Sequence, residues 1–453
     1  MRKMLALSAI AAGVMGAQAA DDLAGMFVNG KAGGQIRLFY LDRDYSGWDG
    51  APHRNATALG GHLSFETDAL AGVSLGASAY TANRILQGLE YGPASEGEVD
   101  PSLFGYGYKS YSIFGEAYVN LHYGSSNFKA GRQLLNTPMA AADDARMLPN
   151  FFEAYVYTNT GIEHTTLIAA QVSGFAAGTF SNIYASGGIL AATSGYSPIA
   201  ANYEKFSQDF VNVGTWAVGE QTDGITTLAA VYSKGGLTLQ AWDYYAWDIL
   251  NVLYAEGKIG WDCTFNKEVK PFAAVQVIKE NSVGDELLQN LGGDGKVDSL
   301  YWAAKIGATY HGFTAYAAYS ETGANGDADP SYANAVITPW GGMPAYTQGM
   351  VTRHQFMAGA KATKGAIAYS FKEHGIDLSA AAYYVAFDMD RNNGYSADYA
   401  WTATEPGFDI QYYPAAVKNL QLRLRGNFPD KFYDSDAKTV NWDEYRFIVN
   451  YNF

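Results

Sequence analysis

Near the end of the chain, Leu420-Gln-Leu-Arg-Leu-Arg425 and Glu444-Tyr-Arg446 place guanidinium groups at alternate positions. In an extended chain alternate residues share a face, so Arg423, Arg425 and Arg446 look one way while Leu420, Leu422 and Leu424 look the other. Arg37, close to the start, shares its face with Gln35 and opposes Ile36, Leu38 and Tyr40. The planar guanidinium fork binds a carboxylate through two parallel hydrogen bonds, so a column of arginines on one wall could hand an anionic group from site to site. Lys129, Lys258, Lys305 and Lys361 are weaker members of such a set. Glu66, Glu116, Glu256, Asp409 and Glu444 are the acids expected to face them. For any single cation, pairing with one of these acids is the ordinary alternative.

A second charged stretch runs from Gly131-Arg132-Gln133 through Pro138 to Asp143-Asp144-Ala145-Arg146 and Pro149. Prolines on both sides favour an ordered loop. Folded into a pore, Arg132, Asp143, Asp144 and Arg146 would form its narrowest electrostatic gate; on the surface they would be an ordinary capped loop. Asp327 and Asp329, in Gly-Asp-Ala-Asp-Pro, could bind calcium, although such a run is more often a solvated turn. No other cofactor is expected. The histidines at 53, 62, 122, 164, 311, 354 and 374 include no i, i+4 pair and no cysteine company, which removes the zinc motifs. There is no Gly-x-Ser-x-Gly and no phosphate loop, so an enzyme is not expected.

The elements that must position these groups are strands. Counting back from Phe453, Tyr451, Val449, Phe447 and Tyr445 alternate with Asn452, Asn450, Ile448 and Arg446. One greasy face and one polar face, in a chain that stops on an aromatic, fit the closing strand of a bacterial outer-membrane barrel. Phe453 would then be its handle for the barrel-assembly machinery. Met1-Arg2-Lys3, an apolar stretch and Ala17-Gln18-Ala19 read as a secretory signal over 1–19, leaving 20–453 as one domain. Past residue 19 no apolar run approaches the roughly 20 residues of a membrane helix. The chain has 34 Tyr, 50 Gly and one cysteine, enough for aromatic girdles and many turns but not for an internal disulfide. A formal charge of −15 argues against nucleic acid as a partner.

The alternation predicts an all-β fold, a transmembrane antiparallel β-barrel of eighteen strands. These lie near 33–42, 62–66, 73–78, 111–123, 127–135, 151–159, 165–175, 225–233, 237–247, 252–262, 269–279, 300–310, 313–321, 353–371, 376–387, 408–413, 420–428 and the C-terminus. In the fourth, Ile113, Ala117, Val119 and Leu121 are expected to face outward. Short periplasmic turns should alternate with long extracellular loops. Counting 211–219 as a wall strand would break that rhythm, so it belongs in a large fourth outer loop, about 176–224. A soluble β-sandwich with the sense of the alternation reversed is the competing fold.

These same residues resemble the OprD-type outer-membrane porin family over essentially the whole mature chain. The matching pieces are Gly131-Arg132-Gln133 with Pro138, Asp144-Ala145-Arg146 with Pro149 and Phe152-Glu153, Gly236-Leu-Thr-Leu239 with Asp248, 420–425 and 444–448. The resemblance implies passive uptake of small carboxylate-bearing solutes, such as amino acids and organic acids, across the outer membrane. It implies a monomer or loose homotrimer among outer-membrane lipid and lipopolysaccharide. It also implies a pore narrowed by the third and seventh loops, with a basic ladder opposite acidic loop residues. On that basis Arg423, Arg425 and Arg446 map to the ladder, and Asp143, Asp144 and Arg146 to the constriction; the alternation adds Arg37, Lys305 and Lys361 to the ladder, and the loop reading adds Arg132 to the constriction. A calcium-binding, non-specific trimeric porin and a non-conducting adhesive barrel are the alternatives.

Overall fold

In a computed structural model that describes residues 20–47, 53–85 and 98–453, eighteen antiparallel strands form one closed wall. The expected signal segment 1–19 lies outside the described residues. The strands are β1 (Lys31–Ser46), β2 (His53–Glu66), β3 (Val73–Arg84), β4 (Tyr111–Tyr123), β5 (Ser126–Gln133), β6 (Phe151–Ile162), β7 (Thr165–Ala176), β8 (Ile225–Lys234) and β9 (Leu237–Ala246). They continue as β10 (Leu250–Gly260), β11 (Lys270–Ser282), β12 (Asp298–Tyr310), β13 (Phe313–Thr322), β14 (Lys361–Ser370), β15 (Leu378–Met389), β16 (Trp401–Tyr412), β17 (Leu420–Asn427) and β18 (Lys438–Asn452). Each pairs with its sequence neighbours, and β1 also pairs with β18, with Arg37 opposite Asn450 and Leu38 opposite Val449. Closure leaves no free edge, which is how strands satisfy their backbone groups in lipid. No helix among the described residues is long and apolar enough to cross a membrane.

The outward faces carry Ile36, Leu63, Phe114, Val275, Ile306 and Ile367, all exposed, with Trp261, Trp302, Tyr384 and Tyr445 among the exposed aromatics. Periplasmic connections are short. His311 and Gly312, with φ of 41° and 76°, join β12 to β13 in a two-residue turn whose two left-handed residues suit the strand twist.

Several elements depart from expectation: β2 begins at His53 and β3 runs on to Arg84, beyond the expected 62–66 and 73–78. β14 begins at Lys361, and 353–360 belongs to the seventh loop. β16 reaches back to Trp401, so the loop before it is shorter than the alternation suggested. In β4 the register shifts between Ser78 and Ala79 of its partner, with Gly115 as the extra residue. That bulge reverses the phase above it, turning Phe114 outward and Ile113, which is 9% exposed, inward. The segment near 211–219 is no wall strand: Val211–Asn212 pairs briefly with β7 and Val213–Val218 is helical.

Loops L3 (134–150), L4 (177–224) and L7 (323–360) fold into the barrel. Val336, Ile337 and Trp340 of L7 pack with the inward Val156, Trp242, Val252 and Ile278 of the wall in one buried cluster. Strict polar-inside alternation therefore fails where a loop needs an apolar base, and holds where the wall faces water. L7 lies between its neighbours: Ala141 N–H donates to Trp340 O at 3.0 Å, Gly341 N–H to Gly195 O at 2.9 Å and Thr338 N–H to Ala192 O at 2.8 Å. Gly341 has φ of 80°, and a side chain there would run into the Ala141 carbonyl.

Candidate functional site: the pore constriction

Arg37 projects inward from β1 and fastens L3. Its fork donates to Asp144 at 2.6 and 2.9 Å, to Arg146 O at 2.7 Å and to Met147 O at 3.3 Å, and its Nε donates to Asn450 at 2.9 Å. Asp144 keeps 49% of its side chain exposed, so its carboxylate borders the lumen. Behind it Glu444 of β18 accepts from three guanidiniums, those of Arg43, Arg146 and Arg446. Arg43 also meets Asp100 at 3.0 Å, and Arg146 donates to Ser102 at 3.0 Å. All three arginines are at most 1% exposed. Charges so buried persist because they are paired, and they reach a solute through their field rather than by contact. Three cations against two carboxylates leave this cluster formally positive.

L3 meets the other inner loops at Asp143, which accepts from Arg353 of L7 at 2.8 and 3.2 Å and from Tyr196 of L4 at 2.6 Å. From there L7 runs along the inner wall as a strap. Tyr346 donates to Glu256 of β10 at 2.6 Å, and Thr347 bonds Ser320 of β13 at 2.6 Å. Lys364 of β14 donates to Gln348 O at 2.5 Å. Glu405 of β16 accepts the N–H groups of Met350 at 2.5 Å and Thr352 at 2.7 Å.

Cations that touch the lumen are fewer than the sequence suggests. Arg423 and Arg425 of β17 share Asp409, at 2.8 Å for Arg423 Nε and 3.5 Å for Arg425 Nε, and keep 26% and 17% of their side chains exposed. Arg425 stands directly across from Arg446. Lys305 of β12 lies 4.2 Å from the Tyr346 ring and 5.5 Å from that of Tyr316, and Lys364 lies 4.6 Å from Tyr383. Neither lysine has a carboxylate within ion-pair distance among the described residues. Lys258 is paired with Glu256 at 2.8 Å. Across the lumen Glu116 accepts from Tyr80 at 2.8 Å, and Lys129 sits 3.5 Å from the Tyr118 ring.

Two predicted site residues are misplaced. Lys361 faces outward near the extracellular end of β14, 3.8 Å from Glu321, while the inward lysine on that strand is Lys364. The strand's inner face is mostly alanine, so nothing in its composition fixes the phase. Arg132 lies in β5, not in L3, and points outward to Glu153 at 2.9 Å with the Phe210 ring 4.3 Å away. Its inward neighbour is the buried Gln133. Sequence reasoning missed Arg353, which it placed in a strand, and the tether Glu405. It also missed Arg43, although the period from Arg37 reaches it.

In the acidic run Asp329 accepts from the Gly326 N–H at 2.7 Å and Asp327 from Asn392 at 3.0 Å. Asp42, Asp44 and His53, on the outer rim, do bring one ligand atom each within 4.8 Å of one another.

The model of the outer membrane porin, OprD family, matches residues 24–453. No curated protein sequence matches the chain with significance. Solved structures with the same fold include Pseudomonas aeruginosa OpdK with vanillate, at 15% identity and a TM-score of 0.70. They also include OccK9 (OpdG), at 19% and 0.72, and OccK2 (OpdF) in complex with glucuronate, at 17% and 0.70, both from the same organism. Each comparison covers 94% of this chain and 99% of the other. A closed eighteen-stranded wall with a lipid-compatible exterior and a narrowed polar lumen is what such a match requires, and the chain belongs to the OprD family of bacterial outer-membrane porins.

Proposed function

We propose that this porin takes up small solutes bearing a carboxylate, drawn along the basic inner wall from Lys305 and Lys364 to Arg425 and Arg423. The observation that carries this reading is the pair Arg423 and Arg425. Two lumen-accessible guanidiniums share one carboxylate, Asp409, which leaves hydrogen-bonding capacity for an incoming anion. Asp144, on the L3 side, favours solutes that also carry a positive or hydrogen-bonding group, amino acids among them. OpdK with vanillate and OccK2 with glucuronate are carboxylate-bound relatives of the same fold, in keeping with this assignment. The test is planar-bilayer recording of the purified protein with acids and their neutral amides at matched concentration. Carboxylates should interrupt the current and amides should not; equal effects would leave a general diffusion pore.

A further inference from the structure

Asp143 and Asp144 are adjacent in L3 yet occupy unlike surroundings. Asp144 has half of its side chain in the lumen, whereas Asp143 is set apart by its pairing, with both oxygens engaged by Arg353. Tyr196 donates to the same carboxylate at 2.6 Å, and Arg353 also donates to Ser194 O at 2.8 Å. The Phe180 ring lies between two guanidiniums, 4.5 Å from that of Arg146 and 4.8 Å from that of Arg353. The backbone at Asp143 is left-handed, with φ of 40°, a conformation that Asp and Asn tolerate better than most residues. Three loops that narrow the lumen thus converge on one side chain.

We infer that Asp143 is a positioning residue: by clamping L3 to L7 through Arg353, and to L4 through Tyr196, it sets the size limit of the pore without presenting charge to the solute. Because L7 is also strapped to the wall at Glu405, the clamp carries that fixed distance across to L3. Loosening it lets L3 and L7 separate while Arg423 and Arg425 stay in place. The inference rests on the lumen conducting ions but not on which solute it prefers.

The test uses the full protein in planar bilayers in plain potassium chloride, with polyethylene glycols of graded size as molecular sieves. Asp143→Asn keeps shape and backbone preference and removes the charge; Arg353→Met removes the partner. A clamp predicts the same sign for both, a single-channel conductance raised roughly twofold and entry of larger polymers, as a wider constriction dictates. The double variant should add nothing further, and Arg353→Lys should restore part of the wild-type limit. Tyr196→Phe, a milder change, should move the limit in the same direction and serves if a stronger variant fails to show the heat-modifiable mobility of a folded barrel. If instead the size limit stays fixed while reversal potentials move oppositely, toward anions for Asp143→Asn and toward cations for Arg353→Met, Asp143 is a pore charge. No change in any variant overturns the inference equally. Carboxylate block, read separately, fails only if the solute assignment fails.

Discussion

Arg37 and Arg425 carry the same charge on neighbouring parts of one wall, but their partners give them different work. Arg37 is consumed by Asp144 and two L3 carbonyls, so it builds the constriction. Arg425 shares a single carboxylate with Arg423, so it remains able to meet a solute. Losing one charge-assisted hydrogen bond of about 1.4 kcal/mol weakens binding about tenfold. Arg425→Gln should therefore raise the carboxylate concentration needed for half-block of single channels by about that factor. Charge reversal at Arg423 and Arg425 should move the reversal potential in a salt gradient toward cations, and an unmoved potential would remove the ladder. Arg446→Met should act otherwise. The native guanidinium donates to the buried Glu444 and Asn427, and losing such bonds costs about 1.5 to 3 kcal/mol, visible as a lower urea midpoint by tryptophan fluorescence. Sequence alternation could place Arg423, Arg425 and Arg446 on one face, but not divide them into lumen-facing and buried. That division depends on Glu444 and L3, which are distant in the chain.

L7 shows how an element with little regular structure, one short 3-10 turn at His354–Phe356, is held in place. Glu405 gathers its backbone at 350–352, Glu280 accepts the Ile337 N–H at 2.8 Å, and His354 bonds the Phe432 carbonyl at 2.7 Å. Glu405→Gln should increase hydrogen exchange over 346–352 while leaving the barrel strands protected. His354 is buried against Phe387, Tyr395 and Phe432. Burial, opposed in part by the Phe432 carbonyl, pushes its imidazole down from 6.5 to about 4. Above 6.5 the ring is neutral whether L7 is docked or loose, and the contact is at full strength. As the pH falls toward 4 the undocked ring takes a proton that the docked one refuses, so docking weakens by up to about 3 kcal/mol. Exchange around His354, corrected for intrinsic rate, should rise across that window, and His354→Gln should flatten the rise. The sequence hid this element because 353–360 joins smoothly onto the alternation of β14, and only the loop's contacts mark where the strand begins. The phase of β4 was lost for a similar reason: Gly115 inserts one residue, which a period of two cannot anticipate.

At the scale of the whole molecule the charge of −15 gives no guide to what the lumen prefers. Lys305, Lys364, Arg423 and Arg425 face the water inside, while carboxylates such as Asp42, Asp44 and Asp443 sit on the outer face of the rim. A solute responds to the potential along its path rather than to the sum over the chain. The eighteen strands, their turns and the inward arginines of β17 and β18 were legible because period-two alternation is local. The inner plug was not, since it joins loops hundreds of residues apart, as Asp143 joins Arg353. The most direct measurement is single-channel recording in potassium chloride with benzoate against benzamide, two planar solutes of equal size that differ in charge. A basic inner wall predicts an anion-leaning reversal potential and brief blockades by benzoate alone. Identical blockades by both, or a cation-leaning potential, would contradict it.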